Sequence, residues 1–196
     1  MKSISIISVT FILLVSCGYS KLSRDFEKYE KVVREEGTID ENGLKQGTWI
    51  KYNSLDKPIT KGTYLNDTLS GIAEAYHRDG SIYTRCKYFK GELIDTFLIY
   101  YDNGQLNSYS WRDSTGASQG EFRIYHENGE LRQIGNHKDG RLFGTIKVYF
   151  DDGSIESIEN YNQYGFNGES VHFKENGDTL RKILYKNDTV IKRIDY

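Results

Sequence analysis

The stretch that decides the fold is GEFRIYHENGELRQIGNHKDGRLFGTIKVYFDDGS, residues 120–154, in which one pattern occurs and then begins again 24 residues later. Gly120 and Gly144 each open a run of alternating apolar and polar residues, with Tyr125 and Tyr149 five positions further on. Alternation with a period of two is typical of a β-strand that has one apolar face. Each run ends near an Asn-Gly or Asp-Gly pair, a strong signal for a β-hairpin turn.

The same pattern extends over most of the chain. Six units begin at Gly47, Gly71, Asp95, Gly120, Gly144 and Gly168, with one extra residue between Gly104 and Gly120. An Asp-Gly or Asn-Gly pair follows nine positions after five of these starts, whereas the first unit has Asp56 there. Because these dipeptides tolerate positive φ at both central positions, we expect two-residue type I′ turns at these pairs. A second turn and a returning apolar residue complete each unit.

This pattern predicts an all-β fold, an elongated antiparallel β-meander of tandem β-hairpin repeats with a 24-residue period. Six hairpins and a leading strand give about thirteen strands and about 60 Å of sheet. Each hairpin should contact only its neighbours. One face is expected to be apolar and aromatic, and the other to carry Lys, Arg, Glu and Ser. An ordinary β-sandwich is the alternative, and the constant register across six units disfavours it.

A family resemblance rests on three motifs. They are Gly-x-Trp-x-x-Tyr (Gly47, Trp49, Tyr52), Tyr-x-x-Gly (Tyr88, Gly91) and Asn-Gly-x-Leu between hairpins. Together they resemble the MORN-repeat variant family, whose bacterial members include YwqK-type antitoxins. The resemblance covers roughly residues 43–196 and implies a MORN-like repeat array.

Three departures from the family pattern put single turns in doubt. Trp49 is the only Trp at its position in the repeat, Asp95 replaces Gly, and Pro58 lies in the first hairpin.

Aromatic residues recur at fixed positions of the repeat and should form ladders along the sheet. We predict them as a candidate binding surface for a protein, a peptide or a glycan. The alternative is that the rings only cover a sheet that lacks a second layer. The candidate residues are Trp49, Tyr52, Tyr76, Tyr88, Tyr100, Tyr125, Tyr149, Tyr161 and Phe173.

The N-terminus has the pattern of an exported protein. Lys2 precedes an apolar run over residues 4–15, which is too short to span a bilayer as a helix. Leu14-Val15-Ser16-Cys17 resembles the lipobox of bacterial lipoproteins, which implies that residues 1–16 are a signal peptide and that Cys17 carries a diacylglycerol thioether and an acylated (palmitate-type) amine. An ordinary signal peptide with an incidental Cys is the alternative.

The resemblance to lipoproteins implies a location in the bacterial cell envelope, with the lipid bilayer as a partner through acylated Cys17. Gly18 stands where an inner-membrane retention signal would have Asp, which favours the outer membrane. Residues 17–36 then form a lipidated tether with a short helix, suggested by the spacing of Phe26, Tyr29 and Val33, and a first strand that enters the sheet near Val32. Residues 37–196 form the repeat array.

Composition and motifs exclude several classes of function. The net charge is -2 and no basic stripe is present, so nucleic acid is not an expected partner. We find no catalytic motif and expect no cofactor and no metal. His77 and His126 should lie roughly 19 Å apart, too far for one zinc ion. These two, with His137 and His172, are expected to be solvated strand residues, and Cys86 is expected to be a small strand residue.

The function predicted from the sequence is a lipid-anchored, non-catalytic protein-interaction scaffold of the cell envelope. An antitoxin or immunity protein that masks a toxin is its sharper form, and the partner protein is unidentified. A membrane-surface or glycan-binding module is the alternative. An enzyme would need a pocket formed by curvature of the sheet.

Overall fold

The computed structural model describes residues 31–196, and these residues form one antiparallel sheet with no helix. The strands pair in chain order, which confirms the all-β meander of hairpins. The two-residue strand β12 and the following strand β13 both pair with β11, at different residues along it. The strands are β1 (Arg34–Ile39), β2 (Lys45–Tyr52), β3 (Pro58–Leu65), β4 (Thr68–Tyr76), β5 (Ile82–Phe89), β6 (Glu92–Tyr100), β7 (Leu106–Arg112), β8 (Ser118–Tyr125), β9 (Leu131–Lys138), β10 (Arg141–Tyr149), β11 (Ile155–Asn162), β12 (Gly165–Phe166), β13 (Gly168–Phe173), β14 (Thr179–Lys186) and β15 (Thr189–Asp195).

The N-terminal expectations fall mostly outside the described residues. The signal peptide, Cys17 and the helix around Phe26 all lie there. Residues 31–33 are not helical. The Val33 N–H donates to the Tyr52 carbonyl at 3.0 Å, so the chain enters the sheet next to Val32. The first strand spans Arg34–Ile39 and therefore continues across the boundary between residues 36 and 37. Within residues 31–196 there is no helix of the length and hydrophobicity that a membrane crossing requires.

The turns at the five Asp-Gly and Asn-Gly pairs that follow nine positions after a unit start are not of the expected type I′. At the second unit only Gly80 has a positive φ, 97°, and Asp79 does not. The Gly80 N–H donates to the His77 carbonyl at 3.0 Å, and the His77 N–H donates to the Ser81 carbonyl at 2.8 Å. This is a three-residue turn that ends in a glycine bulge. The Asp79 carboxylate accepts the Ser81 N–H at 2.9 Å, and this local bond favours the three-residue turn.

The same three-residue turn recurs along one edge of the sheet, which we call the long-turn edge. Its turns occupy residues 53–57, 77–81, 101–105, 126–130, 150–154 and 174–178.

Type I′ turns lie at the opposite edge, which we call the short-turn edge. Both central residues have positive φ in four of its turns, Asn66-Asp67, Lys90-Gly91, Asp139-Gly140 and Asn187-Asp188. At Asp113 this edge has a three-residue turn instead, in which the Gly116 N–H donates to the Asp113 carbonyl at 3.0 Å. This turn accounts for the extra residue that the spacing of the repeats places between Gly104 and Gly120.

A left-handed residue opens every unit because successive hairpins pair with a bulge. Gly62 lies opposite Ala73 and Tyr64 opposite Leu69, so two extra residues are accommodated on the second strand. The unit start Gly71 lies inside this bulge with a φ of 126°. Asp95, which replaces Gly at the third unit, keeps the same conformation with a φ of 64°. The repeating glycine therefore marks a bulge that non-glycine residues adopt only with strain.

One face of the sheet, which we call the packed face, holds all the buried strand residues. Its side chains pack across neighbouring strands, because no second layer covers them among residues 31–196. Large side chains lie over glycines of the adjacent strand, so that Trp49 covers Gly37, and both Phe122 and Ile146 cover Gly135. The buried strand residues are Gly62, Thr84, Cys86, Tyr88, Phe122, Gly135, Ile146, Ser157, Ser170 and Ile183.

His137 is part of this packed face rather than a solvated residue. Its ring centroid lies 4.5 Å from that of Phe122. Burial lowers the pKa of His137, and the charge of Arg112 lowers the same pKa further. Tyr64, Tyr88, Tyr161 and Tyr185 occupy the corresponding position of other units.

The first prediction concerns Gly135. A methyl group there would overlap Ile146 Cδ1 and lie 3.0 Å from Phe122 Cε1, so Gly135→Ala should lower the free energy of unfolding by about 1–3 kcal/mol. Ile146→Val removes the atom in conflict and alone costs about 0.5–1.5 kcal/mol. Chemical denaturation of both single variants and the double variant should give a double-variant loss smaller than the sum. Strict additivity would show that the two side chains do not compete for this space.

The second prediction concerns acid stability. Because the pKa of His137 is lower in the folded chain than the ordinary value of about 6.5, the unfolded chain binds more protons below that pH. The stability that neutral His137 contributes is therefore complete above about pH 6.5 and falls as the pH falls through its folded pKa. Urea denaturation at pH 7.5 and pH 5 should show a smaller loss in His137→Tyr than in the wild type. An identical loss in both chains would contradict the assignment.

Candidate binding surfaces

The nine aromatic residues predicted as one surface divide between the two faces of the sheet. Trp49, Tyr88 and Tyr161 lie on the packed face, where Tyr88 is buried. The remaining six lie on the opposite face, which we call the open face, beside the long-turn edge. We call these six the open-face row: Tyr52, Tyr76, Tyr100, Tyr125, Tyr149 and Phe173.

Acidic and basic neighbours hold the open-face row in place. The Arg34 guanidinium lies 3.7 Å from the ring centroid of Tyr52, whose hydroxyl donates to Glu36. The Tyr76 hydroxyl donates to Glu74 at 2.9 Å. Burial and this hydrogen bond raise the pKa of Tyr76 to about 12, so the phenol stays a donor at neutral pH. All six residues of the row are half-buried.

The aromatic residues of the packed face form a stacked row near the short-turn edge. Phe166 lies between two tyrosines, with ring centroids 4.3 Å from Tyr161 and 4.8 Å from Tyr185. The Tyr161 hydroxyl donates to Glu159 at 2.9 Å, and burial together with this bond raises the pKa of Tyr161. Each ring is therefore engaged with its neighbours, so these residues serve mainly to cover the sheet.

An apolar patch on the open face is a further candidate surface that the sequence analysis missed. It consists of Ile72, Leu98, Tyr109 and Trp111, in which Leu98 lies opposite Tyr109 on neighbouring strands. Trp111 is 39% exposed and Ile72 is 42% exposed. A shallow depression of about 180 Å³ adjoins the patch. The expectation of an open face made only of charged and small polar residues was therefore wrong here.

Ionic side chains frame this depression. Lys87 and Asp95 form an ion pair of 3.0 Å along its margin, and Arg85 lies 3.6 Å from Glu74. These exposed pairs contribute little stability, because solvent screens them. They leave the margin of the patch polar but close to neutral in charge, as in the rim of many protein–protein interfaces.

Two histidines at the long-turn edge connect neighbouring repeats. Nε2 of His77 donates to the Tyr100 carbonyl at 3.0 Å, and Nε2 of His126 donates to the Tyr149 carbonyl at 3.0 Å. Tyr101 occupies the same position in the unit between them, and its hydroxyl donates to a carbonyl of the next unit at 2.7 Å. The expectation of solvated histidines was therefore wrong for His77 and His126.

No chemical centre comes together among residues 31–196. These residues contain no group of three or more His, Cys, Asp and Glu side chains that could hold a metal ion. Cys86 is a free, buried thiol, and burial raises its pKa to about 11, which keeps it protonated and unreactive at neutral pH.

Part of the repeat array is similar to a known protein family. A search of curated proteins found no match. Among solved structures, a mutant of S. aureus TarM in complex with Fondaparinux, alpha-GlcNAc-glycerol and UDP is similar at 10% identity and a TM-score of 0.38. The similarity covers 63% of this chain but only 24% of that one. The model of the MORN repeat variant matches residues 118–139 and 144–163, the units around β8 to β11, and such repeats are typically non-catalytic binding modules.

Proposed function

We propose that the protein is a lipid-anchored, non-catalytic scaffold of the bacterial cell envelope, and that the apolar patch on its open face binds a partner protein. The observation that carries this proposal is the exposure of Ile72 and Trp111 on a sheet face that no described residue covers. Exposed aromatic residues next to aliphatic ones are typical of the centre of a protein–protein interface. The match to the MORN repeat variant supports a binding role.

Rigidity of the sheet supports the same role. Trp111 lies between Thr96 and Gln119 on the two neighbouring strands, so the backbone bonds of β6, β7 and β8 fix its position. A preformed surface loses little conformational entropy on binding. An antitoxin or immunity protein is the sharper form of this function, because masking a toxin calls for a tight complex on a preformed surface.

The anchoring part of the proposal rests on the lipobox-like sequence around Cys17. We expect metabolic labelling with a palmitate analogue to label the wild-type chain and not Cys17→Ser. The variant should also move from the membrane fraction to the soluble fraction, because the acyl chains supply the attachment. Cys86→Ser is the matched control and should remain labelled. Unlabelled wild-type protein would overturn the lipoprotein assignment.

The binding part is tested by cross-linked capture from the native envelope, read by mass spectrometry. Trp111→Ala should reduce recovery of the dominant protein partner at least tenfold, since truncation of a central aromatic residue commonly costs about 2 kcal/mol or more. Phe143→Ala is the matched control, because Phe143 is also on the open face, is 40% exposed, and lies outside the patch. A denaturation midpoint for each variant separates lost binding from lost folding.

Three results would contradict the proposal. Equal recovery with both variants would exclude the patch as the contact surface. Recovery of lipid or glycan without a specific protein would favour a membrane-surface or glycan-binding module. Normal growth of deletion strains that retain the captured partner would exclude the antitoxin form.

A further inference from the structure

Among the residues that the structure describes, no strand pairs with the outer edge of β1 or of β15. All residues of β1 and of β15 are exposed, and among residues 31–196 each strand pairs on one side only. The Tyr196 N–H donates to the Leu180 carbonyl at 3.0 Å, and Arg181 lies opposite Asp195. By the alternation of an antiparallel ladder, the backbone groups of Arg193 and Asp195 therefore face away from β14.

The two edge strands are complementary halves of one repeat. Glu35 of β1 lies opposite Lys51 of β2 in the same way that Thr60 of β3 lies opposite Ala75 of β4. β1 therefore corresponds to β3, the second strand of a hairpin. β15 corresponds to the first strand of a hairpin, since its Asp195 lies opposite Arg181 in the same way. Within one chain, the turns of the long-turn edge join a first strand to a second strand. β15 of one copy and β1 of another copy correspond to such a pair of strands.

One side-chain pair is left incomplete at both edges. Every hairpin places an aromatic residue of its first strand opposite the residue that opens its second strand. Tyr196 and Val33 occupy these two positions at the edges, and they are 62% and 55% exposed. The complete pairs are Tyr52–Pro58, Tyr76–Ile82, Tyr100–Leu106, Tyr125–Leu131, Tyr149–Ile155 and Phe173–Thr179.

We propose that copies of this chain associate head to tail, with β15 of one copy pairing antiparallel with β1 of the next in the register of a hairpin. This register brings Tyr196 opposite Val33 and Ile191 opposite Ile39, so an exposed apolar pair forms near each end of the contact. It continues the strand pairing that already joins the two strands of every hairpin. The surface is separate from the open-face patch, so this inference does not depend on the proposed function.

Charge selects unlike edges over like edges. β1 carries Arg34, Glu35 and Glu36 and has a net charge of -1, whereas β15 carries Lys192, Arg193 and Asp195 and has a net charge of +1. In the proposed register Arg193 is the diagonal neighbour of Glu35, and opposite charges on neighbouring strands attract. Two β1 edges would bring carboxylates together, and two β15 edges would bring cations together.

One like-charged contact arises in this register, between Asp195 and Glu35. Its cost is offset on both sides, because Asp195 accepts from Arg193 Nε at 3.0 Å and Glu35 is paired with Lys45 and with Lys51. A head-to-tail contact of this kind is heterologous, so it adds copies in a row instead of stopping at a two-fold dimer.

The test is cross-linking between single-cysteine additions in the detergent-solubilised full-length chain. Val33→Cys and Tyr196→Cys are made on separately tagged copies, mixed and mildly oxidised, because directly opposite residues bring Cβ atoms close enough for a disulfide. We expect mixed dimers in at least tenfold excess over the matched pair Leu55→Cys with Tyr196→Cys. Leu55 is 62% exposed but lies in a turn at the long-turn edge. The wild-type chain reports any background from Cys17 and Cys86.

A second variant tests whether the cross-link depends on backbone pairing at the β15 edge. Arg193→Pro removes an outward N–H, so it should reduce the mixed dimer at least tenfold without a change in the denaturation midpoint. Mixed dimers no more abundant than those of the Leu55 control would overturn the proposal. A predominance of dimers between two Tyr196→Cys copies would also overturn it, in favour of a two-fold end contact.

Discussion

The packing of large side chains over glycines of the neighbouring strand is the contact on which the rest of this structure depends. Among residues 31–196 no second layer excludes water from the sheet, so its backbone and its apolar residues are covered by side chains of the sheet itself. Ile146, which is fully buried, lies over Gly135 together with Phe122, and Trp49 does the same over Gly37. This arrangement explains how a chain with few aliphatic residues per strand maintains a buried face.

Because the buried strand residues all lie on the packed face, the open face is available for contact with another molecule. The open face carries residues such as Trp111 that take no part in the packed face, so they can be recognised by a partner without loss of stability. Hydrogen bonds at the long-turn edge, such as that from Tyr101 to the Tyr125 carbonyl, hold adjacent units in a constant relation. Structural support is thus assigned to one face of the strands, and the recognition that we propose to the other.

Much of the fold could be predicted from the sequence, because the 24-residue spacing records the strand register directly. The turn type could not, since an Asp-Gly or Asn-Gly pair suits both a two-residue and a three-residue turn, and the carboxylate or amide bond to the residue two positions on favours the longer one. The nine aromatic residues were predicted to share one surface because they recur at fixed positions of the repeat. Side chains at odd and even positions of a strand, however, point to opposite faces. Tyr76 lies five residues after Gly71, whereas Tyr88 pairs with Gly71, so the two rings take opposite faces. Trp111 was missed because it does not recur.

Because strands are neighbours in the sheet in the order in which they follow along the chain, the array has a characteristic response to mechanical load. A force applied between β1 and β15 loads the outermost strands first. Each strand can separate by losing its backbone hydrogen bonds to one neighbour, while the remaining hairpins stay folded. An array held by lipid at one end and by a partner on its face would extend in steps of a strand or a hairpin, so tension could lengthen the connection without releasing it.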